Sequence, residues 1–200
     1  MNAQTTRRPL LVLTATALLT GALAACGSTP HVRSGFIPKS VVLTEDGELT
    51  SAWGGKLDPA TIGSVKVVPT TTPYAGKYGE LDAEQLSEAR VAMSEALTKE
   101  FKDFARQPGG RTIVIHAAIT EIKPNQPLRN IAPQSQILKR GYGYATCEIY
   151  ATDGEGGPVV AALMQTHDTQ RLGTEKYSET GTAKRASEDS AKKFRALLGG

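Results

Sequence analysis

The stretch from residue 65 to residue 123 constrains the fold most, because it reads as a strand, a long helix and a second strand in succession. Residues 65–68 are mostly β-branched and are followed by Pro69, while residues 111–123 alternate isoleucine with smaller or polar residues. Between them, Asp82 and Gln85 stand at the spacing of a capping box. Apolar residues then recur at steps of three and four: Leu86, Ala89, Met93, Ala96, Leu97, Phe101 and Phe104. Such crossovers are right-handed, so we expect two parallel strands with the helix on one face.

Three further elements complete the predicted domain. The alternating segments Tyr142–Thr152 and Val159–Arg171 flank a Gly- and Pro-rich turn, which predicts an antiparallel hairpin. Residues 182–198 carry apolar side chains at helical spacing and are followed by two glycines. The predicted fold is therefore α+β, in the order β-α-β-β-β-α. It is a two-layer sandwich of a roughly four-stranded mixed sheet with two helices.

The N-terminal segment has the layout of a bacterial lipoprotein export signal. Arg7 and Arg8 precede an apolar run, and Ala24-Ala25 precede Cys26. The double arginine also loosely resembles a twin-arginine signal, but any export signal needs such a basic start. The apolar run is short for a membrane-spanning helix, so we expect cleavage before Cys26 and acylation of its thiol.

This signal divides the chain into three parts: a signal peptide over residues 1–25, a lipidated cysteine with a tether and docking segment over residues 26–64, and a globular α+β domain over residues 65–200. Within the tether, we expect the apolar clusters Phe36-Ile37 and Val41-Val42-Leu43 to dock on the domain. Cleavage removes Arg7 and Arg8 and no acidic residue, so the net charge falls from +3 to +1. A near-neutral protein has no general attraction to nucleic acid, and we expect none as a partner.

Few residues suggest catalysis. His116 and His167 fall on predicted strands and Asp168 follows the second, but consecutive strand residues point to opposite faces. Two histidines also fall short of the three or four ligands that zinc uses. We expect neither a metal nor another cofactor. If Cys26 is acylated, Cys147 has no partner for a disulfide, and its place on the apolar face of a strand predicts a buried thiol.

The segment 124–140 is the strongest candidate for a binding surface, because loops of this length in compact domains usually have a use. The alternative is a variable excursion folded over the sheet edge. Candidate contact residues in and beside it are Leu128, Asn130, Ile131, Ile137, Tyr142 and Tyr144.

In its overall order, the chain resembles the bacterial lipoproteins grouped as domain of unknown function 3313. The matching pieces are Cys26, Ser34-Gly35-Phe36-Ile37, Val65-Lys66-Val67, Leu81-Asp82, the 113–122 strand with Ala118-Ile119-Thr120, and the Asp153-Gly154 turn. The family brings no established activity and no catalytic residues, so the resemblance implies a location rather than a reaction.

We therefore expect a non-enzymatic, lipid-anchored envelope protein that binds an envelope protein or another envelope component. Gly27 follows the lipidated cysteine, which in enterobacteria-like sorting indicates the periplasmic face of the outer membrane. Two alternatives remain at this point: a metal-dependent or hydrolytic periplasmic enzyme using His116 or His167, and a carrier of a small lipophilic ligand held between Phe101, Phe104 and the sheet.

Overall fold

The computed structural model describes residues 33–46, 49–54, 57–73, 76–105, 107–131, 141–170 and 173–199. The signal segment, Cys26 and Ile137 lie outside these ranges. Within the described ranges, no helix combines the length and the apolar character needed to cross a membrane.

The described residues form six strands and three helices. The strands are β1 (Thr44–Glu45), β2 (Thr50–Gly54), β3 (Ile62–Val67), β4 (Arg111–Lys123), β5 (Tyr144–Asp153) and β6 (Val159–Asp168). The helices are α1 (Ala83–Phe101), α2 (Pro127–Ile131) and α3 (Gly181–Leu197). Short 3-10 turns at Pro59–Thr61 and Glu175–Tyr177 precede β3 and α3.

The six strands make one mixed sheet in the order β1-β2-β6-β5-β4-β3. β3 and β4 are parallel, as the crossover predicts, and β5 and β6 form the predicted antiparallel hairpin. The sheet has two more strands than the roughly four expected, because β1 and β2 lie in the segment assigned to the tether. Their sequences, Thr-Glu and Thr-Ser-Ala-Trp-Gly, are too short and too mixed to show a strand period. The expected number of two helices was also too low, because the five-residue helix α2 forms within the 124–140 loop.

Both long helices pack on the same face of the sheet, which we call the helix face. The α1 capping box forms as predicted: the Asp82 carboxylate accepts from the Gln85 backbone N–H at 2.8 Å, and the Gln85 side-chain oxygen accepts from the Asp82 N–H at 3.0 Å. Buried residues of both helices and of β4, β5 and β6 form the main core, among them Met93, Leu97, Phe194, Ile115, Ile149 and Leu163. The two long helices and the sheet form the two-layer arrangement that the sequence predicts.

Residues 33–43 cross the opposite face of the sheet, and we call this segment the strap and this face the strap face. Ile37 and Val41 are fully or almost fully buried against Ala162 of β6. Phe36 and Leu43 pack beside them, whereas Val42 is 70% exposed. Docking of the two apolar clusters therefore occurs through alternate residues, with Val41 facing the sheet and Val42 facing away from it.

Candidate functional site

The loop that the sequence favours as a binding surface begins with the helix α2. Its first turn is held by backbone hydrogen bonds from Arg129 and Asn130 to the Gln126 carbonyl, at 2.9 and 3.1 Å. Leu128 is 87% exposed and Ile131 is 62% exposed. Because residues three apart lie on the same side of a helix, these two aliphatic side chains form one exposed apolar surface, which we call the α2 surface.

Three other predicted contact residues, Asn130, Tyr142 and Tyr144, are buried or half-buried. The Asn130 side chain is fully buried and donates to the Lys176 carbonyl at 2.8 Å, which ties α2 to the 3-10 turn before α3. Tyr142 is only 6% exposed, and its hydroxyl has no hydrogen-bond partner among the described residues. Tyr144 is half-buried and donates to Glu121 at 2.8 Å. Burial, followed by the contact with Glu121, raises the pKa of Tyr144 to about 12, so it stays a neutral donor.

A buried hydrogen-bond hub at Asn125 fixes the start of this loop. The Asn125 Nδ2 lies 2.9 and 2.8 Å from the carbonyl oxygens of Glu175 and Ser178 and 2.8 Å from the Thr182 hydroxyl oxygen, and these three acceptors share its two hydrogens. Its oxygen accepts from the Gly143 N–H at 2.8 Å and from the Thr169 hydroxyl at 2.7 Å. One side chain therefore joins the ends of β4 and β6, the start of β5 and the start of α3.

Gly143 shows how closely the chain segments meet at this hub. A Cβ atom at this position would lie 2.1 Å from the Lys123 carbonyl oxygen, which is far inside van der Waals contact. Only glycine can bring the backbone this close to β4. The base of the α2 surface is thus rigid, and sequence reasoning missed it because its members are spread over almost sixty residues.

A second buried polar group, Glu148, lies on the strap face. Its side chain is completely buried, and its two carboxylate oxygens accept from the backbone N–H groups of Ser34 at 2.7 Å and Ile37 at 3.2 Å. The Arg33 guanidinium closes the strap on itself by donating to the carbonyls of Ile37, Pro38 and Val41 at 2.8 to 3.0 Å. Glu148 therefore latches the strap to the sheet.

Aromatic side chains continue this contact. The His116 and Tyr150 rings stack with centroids 4.6 Å apart, and Phe36 of the strap packs on Tyr150 at 5.3 Å. Burial lowers the pKa of His116 and raises that of Tyr150, which favours the neutral form of both. His116 is thus a stacking residue of the strap face.

His167 lies on the other side of the sheet, since it pairs with Ala145, a residue of the main core. Its Nδ1 is 3.3 Å from an Asp189 oxygen, and this oxygen also meets the Arg185 Nε at 3.2 Å. The adjacent Asp168 is exposed and does not join this group. The two histidines therefore do not converge on one site. Among the described residues, no cluster of three or more His, Cys, Asp or Glu side chains suits a metal ion.

The aromatic residues considered for a lipophilic ligand are packed against one another. Phe101 and Phe104 are 3% and 1% exposed, with ring centroids 5.1 Å apart, and Phe101 also packs on Phe194 at 6.2 Å. A groove of about 620 Å³ lies between α1 and α3, but its lining is mostly charged. Its charged residues are Glu88, Glu95, Lys99, Glu100, Lys184, Glu188 and Lys192. This geometry favours a filled core over a carrier cavity.

Comparisons with known proteins place the chain in a family. No curated protein matches it. Among solved structures, it is similar to a dodecamer of a PelC point variant from Paraburkholderia phytofirmans, with 13% identity and a TM-score of 0.47 over 74% of this chain and 96% of that chain. A second PelC dodecamer from the same organism gives 12% identity and a TM-score of 0.45 over 72% and 94%. The profile of DUF3313, described as a protein of unknown function, matches residues 44–194, which confirms the family resemblance seen in the sequence. The chain belongs to the DUF3313 family.

Proposed function

We propose that this protein is a lipid-anchored component of the bacterial cell envelope that binds another envelope component and has no enzymatic activity. The anchor rests on the sequence, where a basic start, an apolar run and small residues lead to Cys26. Binding rests on the α2 surface. Gly27 after the cysteine favours the periplasmic face of the outer membrane.

The observation that carries the binding proposal is the exposure of Leu128 and Ile131 on a helix that is otherwise firmly held. Buried side chains below it make specific hydrogen bonds, so the two aliphatic groups are presented by a fixed scaffold. A preorganised scaffold lowers the cost of binding, since the backbone needs no ordering and only the two exposed side chains lose rotamer freedom. A protein partner with an apolar pocket fits this surface.

Crosslinking in cells tests the binding proposal. A photoreactive amino acid at Leu128 or Ile131 should give discrete adducts with an envelope protein. The same amino acid at Val91, which is 51% exposed on α1, serves as the control. Adducts that are equally scattered from all three positions would show that the α2 surface is not a specific interface.

The anchor is tested separately by the mass of the mature N-terminus. We expect cleavage before Cys26, an added diacylglycerol and acyl chain, and recovery of the protein with outer-membrane fractions. Cys26→Ser should abolish the added mass and release the protein from the membrane. An unmodified or uncut N-terminus in the native protein would refute the anchor.

The absence of catalysis in this proposal is supported by the placement of the two histidines on opposite faces of the sheet. We expect His116→Ala and His167→Ala each to leave the cellular phenotype of the wild type unchanged once protein levels are matched. A loss of phenotype at normal protein level in either variant would favour the enzyme instead.

A further inference from the structure

We propose that the strap face lies against the membrane surface that carries the anchor. Residues 27–32, which we call the leash, join Cys26 to the strap and are too few to let the domain turn over. The inference rests on the proposed lipidation of Cys26 and adds an orientation to it. It follows from where the chain becomes fixed and from how far the remaining residues can reach.

The chain is fixed from its first described residues onward. Ser34 and Ile37 donate to the buried Glu148 carboxylate, at 2.7 and 3.2 Å, and Ile37 and Val41 are buried against the sheet. Residues 33–43 therefore belong to the folded domain rather than to a free tether. Only seven peptide steps separate Cys26 from Arg33.

These seven steps set an upper limit on the reach, whatever their conformation. At no more than about 3.6 Å per residue, they span at most about 25 Å. A compact domain of this length has a radius of gyration of about 16 Å and is hence roughly 40 Å across. With the helix layer against the membrane, Arg33 would lie on the far side of the sheet, and the leash would have to pass around the edge of the domain to reach the bilayer, which exceeds its length. Of the two broad faces, the strap face is the one that the leash can bring to the bilayer.

The outward side chains of the strap face suit a lipid surface. Val42 is 70% exposed and Lys39 is also exposed. Trp53 of β2 is 38% exposed and lies on the strap face, because it pairs with Ala162. An aliphatic group, an aromatic ring with a polar edge and a lysine are the side chains that tolerate the headgroup region. Glu45 is exposed on the same face, since it pairs with Ser51 and Ser51 pairs with Met164, so the lysine adds no net positive charge there. The occupant of this face is therefore a bilayer surface.

Two exposed valines on opposite layers allow a matched test. The single substitutions Val42→Cys and Val91→Cys place a fluorescent label on the strap and on α1, while Cys147 is buried. The full lipidated protein is reconstituted in vesicles of phosphatidylethanolamine and phosphatidylglycerol that contain spin-labelled lipid. We expect loss of fluorescence for the label at position 42 and almost none at position 91. Equal quenching, stronger quenching at position 91, or no quenching at position 42 would overturn the orientation.

A longer leash tests whether its short length causes the orientation of the domain. Ten Gly and Ser residues inserted after Gly27 raise the maximal reach to roughly 60 Å. We expect the difference between the two labels to disappear, and an unchanged difference would overturn the leash as its cause. Flotation with the vesicles reports the anchor independently. Protein that fails to float contradicts lipidation, whereas protein that floats without quenching at position 42 contradicts only the orientation.

Discussion

At the scale of single residues, burial makes the thiol of Cys147 unreactive. It is completely buried on the helix face, and burial raises its pKa to about 12. At pH 7 the thiolate fraction is then on the order of 10⁻⁵, and only the thiolate attacks. We predict that a Cys26→Ser protein shows no reactive thiol towards a thiol reagent in buffer and one in denaturant. Rapid reaction of the folded protein would contradict this structural role.

Asn125 illustrates a residue whose chemistry, rather than its size, decides stability. Asp at this position keeps the shape but replaces the group that donates to Glu175, Ser178 and Thr182 with an acceptor. We predict that Asn125→Asp destabilises the protein by about 2–4 kcal/mol, measured by urea unfolding, because two partly buried carbonyls and the buried Thr182 hydroxyl then face an acceptor instead of a donor. The same chemical change at the exposed Gln107, Gln107→Glu, should cost little. Equal effects of the two substitutions would show that Asn125 is not a hub.

At the scale of elements, the sequence predicted the helices and strands that are long enough to show a periodic pattern of apolar residues. α1 shows a capping box and an apolar stripe, and β4 is a run of thirteen residues in which Ile113, Ile115 and Ile119 fall on one face. β1 and β2 have two and five residues, and their pairing with β6 depends on contacts distant in the chain. At the candidate site, Leu128 and Ile131 are exposed, and their role in binding stays a prediction. The burial of Asn130 depends on the turn at Lys176, which the sequence pattern does not bring near.

The strap is held to the sheet by one buried side chain, Glu148, together with its apolar contacts. In Glu148→Gln one acceptor oxygen becomes an NH₂ group, so the backbone N–H of either Ser34 or Ile37 loses its acceptor. The remaining hydrogen bond also loses its charge. We predict that local opening of the strap becomes easier by about 1–3 kcal/mol, seen as faster amide hydrogen exchange within residues 33–43.

Glu155→Gln is the matched control for this substitution. The Glu155 side chain is 72% exposed and pairs with Lys66 at the surface, where ion pairs contribute little. We expect exchange within the strap to stay at its wild-type rate in this variant. If Glu148→Gln also left the strap unchanged, the apolar contacts of Ile37 and Val41 would have to hold it alone.

At the scale of the whole molecule, the sheet is covered on both faces: by α1 and α3 on one side and by the strap on the other. The sequence placed the start of the globular domain at residue 65, and that boundary cuts β3 between Ser64 and Val65. A chain beginning there lacks the strap, β1 and β2, and leaves the long strand β6 as an open edge. Open edges of this kind favour association between chains.

Three shortened chains therefore separate the contributions of these layers. A chain that starts at residue 33 keeps every described contact and should unfold like the full mature protein. Starting at residue 44 removes the burial of Ile37 and Val41, which should lower the free energy of unfolding by about 3–5 kcal/mol. A start at residue 65 should give an unstable or aggregating protein. Urea unfolding followed by circular dichroism measures all three, and Val42→Ser in the longest chain controls for loss of an exposed valine. Equal midpoints for the chains starting at 33 and 44 would show that the strap lies on the sheet without stabilising it.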